Sequence, residues 1–229
     1  MANLDFSSIP PALGYLFGQG MVVTLMITLV AASGGILLGL ILAAMRLSHR
    51  RWISVPAVLY INFFRSLPLI LIIFTFYFLI PYVLGWVLQS PFPVKVGALN
   101  AAFISFTLFE AAYFAEIIRS GIQAVPKGQI FASQAIGLTH WQMLRYVIYP
   151  QALRNMIPPL LMRSLILFQD TSLVYVVSLT DFLGAASNIG QRDGTLTELY
   201  LFVAASYFVI CFVISKLVNR LDQRMKTVR

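Results

Sequence analysis

Charge is what this chain has least of. Only 10% of its 229 residues are Asp, Glu, Lys or Arg and 59% are hydrophobic, whereas a soluble domain carries about 25% charged residues. A water-solvated globule is therefore the first class to be excluded. Cysteine is reduced to Cys211, so no internal disulfide can form. The two histidines, His49 and His140, lie far apart without ligand-spaced partners, so no metal site is expected. No glycine is followed by lysine, which removes the G-x-x-x-x-G-K-[ST] phosphate loop. No Ser/His/Asp set or Cys/His cluster is present either; neither catalysis nor a cofactor is expected. No Lys or Arg precedes Arg46, and residues 1–18 lack the basic start and cleavage site of a signal peptide.

What remains is apolar sequence in pieces of membrane length. Five stretches, about 19–42, 68–88, 98–118, 156–177 and 199–216, are each near the ~20 residues that cross about 30 Å of hydrocarbon. The expected fold is an all-α membrane protein of five spans, with residues 1–229 forming one transmembrane domain. A basic turn of Arg46, His49, Arg50 and Arg51 precedes residues 52–64, which read as an elbow helix. Pro81 is expected to bend the second span, residues 89–96 to form a loop, and the link 178–198 to hold a short helix near 181–189. Gly35, Gly39 and Ala43 recur every fourth residue, a small-residue stripe along which another helix can approach closely.

Lys and Arg orient the bundle. With five spans, every one of the 16 except Lys95, Arg192 and Arg163 falls on a single side, Lys226 and Arg229 included. Cytoplasmic loops carry such an excess, so the N-terminus is expected outside and the C-terminus in the cytoplasm. The net charge of +8 is thereby a topology signal and not a nucleic-acid patch.

Between the third and fourth spans, residues 119–155 make a cytoplasmic loop with its own structure. Within 126–150 the sequence predicts two short helices and a turn. Pro126 suits a first helical turn, Gly137 a left-handed helix end, Thr139 and Gln142 a capping box, and Pro150 a stop. A DNA-binding helix-turn-helix has a similar outline. Its second helix here offers only Arg145 as a cation and is apolar at Leu144, Tyr146, Val147 and Ile148, so nucleic acid is not the partner. An apolar face of this kind suits a groove on another protein.

The loop also resembles that of permease subunits of ATP-driven (ABC) importers, patterned EAA-x3-G-x9-I-x-L-P. Phe131-Ala132-Ser133, Gly137 and Val147-Ile148-Tyr149-Pro150 match its spacing, departing at Phe131, Ser133 and Tyr149. Gly128-Gln129, Gln151-Ala152, FRSLPL (64–69), AEIIRSGI (115–122) and QDTSLV (169–174) resemble the polar amino-acid branch, most of all the glutamate/aspartate import permeases. The resemblance implies the type I importer permease fold with a cytoplasmic coupling helix, in a bacterial inner membrane. It also implies a pair of ATPase subunits, a second permease, identical or related, and a periplasmic or extracellular amino-acid-binding protein as partners, besides lipid. Gln129, Ala132, Ser133, Ala135, Gly137, Leu138 and Thr139 would meet the ATPase.

Ionisable groups within a span point to a pathway or a contact. Arg163 and Asp170 share a helix face, about 10 Å apart along the axis, which is too far for a direct pair but suits a small zwitterion between them. Gln169, Thr171 and Ser172 add polar groups, and Glu110 is a further candidate for the substrate path. The alternative has Asp170 bonded to a neighbouring helix and Arg163 snorkelling to the cytoplasmic side. Glu116 is placed to pair with Arg119 three residues on, and Arg65 with Pro68 to serve a lipid headgroup or helix end. An ATP-independent, ion-coupled transporter or channel using Arg163, Glu110 and Asp170, or an inert scaffold, are the rival classes.

Overall fold

A computed structural model describes residues 4–226, with only the backbone of Lys226; residues 1–3 and 227–229, including Arg229 of the basic side, lie outside it. The described residues are helical with no strand. The helices are α1 (Phe6–Arg46), α2 (Arg51–Ser66), α3 (Leu69–Val87), α4 (Ala98–Gln123), α5 (Lys127–Ala135), α6 (His140–Val177), α7 (Phe182–Asp193) and α8 (Leu196–Lys226). Five of them, α1, α3, α4, α6 and α8, are long and apolar enough to cross a membrane.

Helix α4 is the axis of the bundle. It buries Ala101, Ala102, Ala111, Ala112 and Ala115 among Phe106, Phe109 and Phe114, small residues alternating with rings so that neighbours can close on several sides. Its tightest neighbour is α1, along the Gly35, Gly39 and Ala43 stripe. A Cβ at Gly39 would lie 3.0 Å from the Ala115 backbone nitrogen, and one at Gly35 would lie 3.1 Å from the Glu110 Cβ. The stripe thus does what its spacing predicts: backbone meets backbone because nothing projects between.

Prolines end fewer helices than the sequence implies. Pro126 stands at the N-cap of α5 in extended backbone and not within its first turn. Pro150 stops nothing; α6 runs from His140 through a widened π-helical turn at Leu144–Ile148 and on through Pro150, Pro158 and Pro159. The extra residue in that turn makes room where the proline ring would meet the carbonyl four residues back. The same device, at Thr75–Leu79, precedes Pro81 in α3. Consequently the second helix of the loop is the head of the fourth spanning helix, and α5 alone is a short helix.

The link after α6 is anchored from both sides. Asp181 caps α7, accepting from the Gly184 and Leu183 amides, while the Phe182 N–H donates to Thr24 Oγ1 on α1 at 3.1 Å. Burial pushes the Asp181 carboxyl up to about 6, against the pull of those amides. At the opposite end of the bundle Ala43, Ile61, Ala115 and Ile118 pack with Val125, Met143, Ile148, Ala152 and Met156, fastening the 119–155 connection to α1, α2 and α4.

Candidate functional site

The candidate residues gather in two places, one inside the bundle and one on the α5–α6 connection. Inside, Arg163 on α6 extends sideways to α4. Its Nε and Nη2 donate to the two carboxylate oxygens of Glu110, at 2.8 and 2.6 Å, in a planar fork. Glu110 is fully buried; Gly35 on α1 leaves the space that its side chain occupies. Asp170 Oδ2 lies 3.9 Å from Arg163 Nη2. The axial spacing of seven residues therefore does not keep these two apart, because the arginine side chain spans most of it. Snorkelling is likewise overturned: Arg163 turns across the bundle to Glu110, its guanidinium stacked 3.9 Å from the Tyr113 ring centroid and 5.7 Å from that of Phe109.

The other polar candidates stand apart from this trio. Thr171 is buried and donates to the Phe168 carbonyl; Ser172 donates to the Gln169 carbonyl, and Gln169 itself is exposed. None of them is hydrogen-bonded to Arg163, Glu110 or Asp170 among the described residues.

Toward the basic end of α4 the expected Glu116–Arg119 pair forms, with Arg119 Nη2 at 2.9 Å, but it is part of a larger group. Arg46 from the end of α1 also binds Glu116, and Arg65 from the end of α2 stands 3.9 Å away. Arg65 also lies over α4, 5.5 Å from the Tyr113 centroid, a contact that its expected headgroup or helix-end role did not include. Glu110, Tyr113, Glu116, Arg119 and Gln123 recur every three or four residues and wind around α4. That polar series in an apolar helix was the available signal for Tyr113, which sequence reasoning missed.

On the α5–α6 connection, Gly137 takes φ +78° and closes α5, and the capping box is complete: Thr139 N–H donates to Gln142 Oε1 at 2.9 Å while Thr139 Oγ1 accepts from the Gln142 amide. Gln129, Ala132, Ala135, Gly137 and Thr139 are exposed and Leu138 is half-buried, but Ser133 is buried, its hydroxyl donating to the Gln129 carbonyl. The apolar face differs from the expected one. Ile148 packs inward with Met143, whereas Phe131, Ile136, Trp141 and Tyr146 point out, Ile136 and Trp141 at 77% and 76% exposure.

Residues 35–227 match the family described as "Binding-protein-dependent transport system inner membrane component". The chain is 48% identical over 224 residues to the glutamate/aspartate import permease protein GltK of Escherichia coli O6:H1, covering 98% of this chain and 99% of that one. It is 33% identical over 225 residues to the glutamine transport system permease protein GlnP of Escherichia coli K12, with coverage of 98% and 99%. Among solved structures, one described as an amino acid ABC transporter with histidines superposes with a TM-score of 0.86 at 32% identity, over 97% of this chain and 99% of the other. An inward-facing MetNI methionine ABC transporter shares the fold, with a TM-score of 0.68 at 20% identity over 93% and 98% of the two chains.

Proposed function

The chain belongs to the family of binding-protein-dependent transport system inner membrane components, and on that premise we propose that it carries glutamate or aspartate past Arg163, Glu110 and Asp170. It is a permease subunit of an ATP-driven amino-acid importer, a multi-pass inner-membrane protein whose ATPase is a separate subunit; ATP-independent transport is thereby set aside. The observation that carries the substrate-path proposal is the Arg163 fork. A guanidinium deep among helices, held by Glu110 and flanked by a partly exposed Asp170, presents a cation and an anion side by side. That is the complement of an amino-acid zwitterion: Arg163 keeps its Nη1 donors for an α-carboxylate and Asp170 accepts from the α-ammonium. Its likeness to GltK supports an acidic amino acid as the cargo.

In the proposed assembly two permeases, identical or related, enclose the path, since five spans make too thin a wall alone. Two ATPases meet the exposed Phe131, Ile136, Trp141 and Tyr146 from the cytoplasm, and an external binding protein delivers the amino acid on the side of the N-terminus and α7. Gln129, Ala132, Ala135, Gly137, Leu138 and Thr139 frame that cytoplasmic face, with Ser133 beneath it. Because α6 continues from His140 through its widened turn to Asp170, a push on Trp141 reaches the Arg163 site about 33 Å away along one helix. Alternate access then follows as rigid bodies rock about that site.

Uptake into proteoliposomes holding the permease, its ATPase and its binding protein tests the proposal. Arg163→Met is expected to lower ATP-driven glutamate uptake more than tenfold while the ATPase still co-purifies. Undiminished uptake refutes Arg163 as part of the path.

A further inference from the structure

Two arginines share one aromatic ring. Tyr113 has the Arg163 guanidinium 3.9 Å from its centroid and that of Arg65 5.5 Å away. Like charges gathered in the low-dielectric interior repel, and the ring faces offset only part of this. The carboxylates nearby do not divide evenly between them. Arg163 has Glu110 to itself in a two-bond fork. Glu116 is taken by Arg46 and by Nε and Nη2 of Arg119. Arg65 keeps only a long ion pair, 3.9 Å from Glu116 and beyond hydrogen-bond reach, with its side chain 43% exposed and no side-chain hydrogen bond among the described residues.

We propose that Arg65 is a second carboxylate-binding residue of the substrate path, which reads the side-chain carboxylate of a dicarboxylic amino acid while Arg163 holds the α-carboxylate. This rests on the assignment of Arg163 to the path. The size of the ligand fits: the two carboxylate carbons of extended glutamate stand about 5 Å apart on ordinary bond lengths, and each guanidinium needs a contact of about 2.8 Å to an oxygen. A dicarboxylate can therefore reach both cations past the edge of Tyr113, whereas the side-chain amide of glutamine gains much less from a cation. Asp170 remains for the ammonium. The last turn of α2 favours a cation whatever else it does, but that preference does not explain why Arg65 stands over the same Tyr113 ring as Arg163. An anionic lipid headgroup is the competing occupant, since basic clusters between spans can bind one.

Direct binding of radiolabelled glutamate and of glutamine to the solubilised permease–ATPase complex, without the binding protein, tests this. Arg65→Gln is expected to lower the glutamate-to-glutamine affinity ratio about tenfold, the effect of one lost charge-assisted contact; Arg65→Lys should recover most of it. A ratio unchanged in Arg65→Gln overturns the inference, as does a defect reversed by adding phosphatidylglycerol, which would give Arg65 to a headgroup. If Arg163→Met abolishes binding of both amino acids but Arg65→Gln leaves the ratio alone, only this inference fails. Arg163→Met without effect on either, or no saturable glutamate binding to the parent complex, defeats the substrate-path proposal along with it.

Discussion

Removing the Glu110 carboxylate charge should harm the fold more than removing the ion pair altogether. Arg163 donates two short bonds to a carboxylate with no solvent exposure. Truncating one member of such a buried pair leaves an uncompensated charge and destabilises by about 3–5 kcal/mol. Asp170 tempers this, because at 3.9 Å from Arg163 it can take over part of the pairing; about 3 kcal/mol is then expected for Glu110→Met. Arg163→Met strands Glu110 instead, and about 2–3 kcal/mol is expected. The double variant replaces both charges with apolar volume and should lie within about 1 kcal/mol of the parent, since a well-packed apolar pair often substitutes for a buried ion pair without loss. The coupling energy in this cycle is therefore about 5 kcal/mol. Reversible unfolding of the purified complex in detergent measures it, and uptake measured in parallel should stay low in the double variant even as stability returns. Additive losses, with the double variant the least stable of the three, would refute the argument that Glu110 and Arg163 stabilise chiefly each other.

Two further outcomes follow from surfaces and burial. Ile136→Asp with Trp141→Ala removes two exposed apolar anchors from the α5–α6 connection; at about 2 kcal/mol for an anchor residue, retention of the ATPase in pull-down should fall at least about thirtyfold while the melting temperature of the permease stays put. Asp181 predicts a pH dependence: its folded-state carboxyl titrates at about 6 against an ordinary 3.8, so the folded chain holds the proton more tightly and stability declines as pH rises through that window, by on the order of 3 kcal/mol. Asp181→Asn keeps an acceptor for the Gly184 amide and should flatten the curve between pH 4 and 6, as measured by thermal unfolding; an unchanged slope assigns it to another group.

Local rules carried much of this structure. The Thr139–Gln142 box, the left-handed Gly137 and the α1 stripe each depend on a few neighbouring residues, and each is found where the sequence puts it. Family membership, too, was legible in the spaced motifs around Gly137 and Arg65. Failures came where distance along a helix stood in for distance between atoms. Arg163 and Asp170 look separated on an axis, yet the long arginine side chain spans most of the rise and leaves only 3.9 Å between the charged groups. Pro150 looks like a terminator, and the π-helical turn that accommodates it leaves no signature in composition. Arg65 could not be placed at Tyr113 from sequence, because the two come from different helices and only tertiary packing sets them together.

The glycines of α1 have a mechanical consequence as well. A side-chain interface can slip by exchanging rotamers, but the Gly39 contact with the Ala115 amide has no rotamer to exchange. Helices α1 and α4 are thus expected to move together, as one girder. Whatever gap opens for a passing solute is expected along the seams this girder makes with α6 and, in the proposed assembly, with the second permease, so a bulky residue wedged into those seams should stall the cycle where one on the lipid face of α1 would go unnoticed.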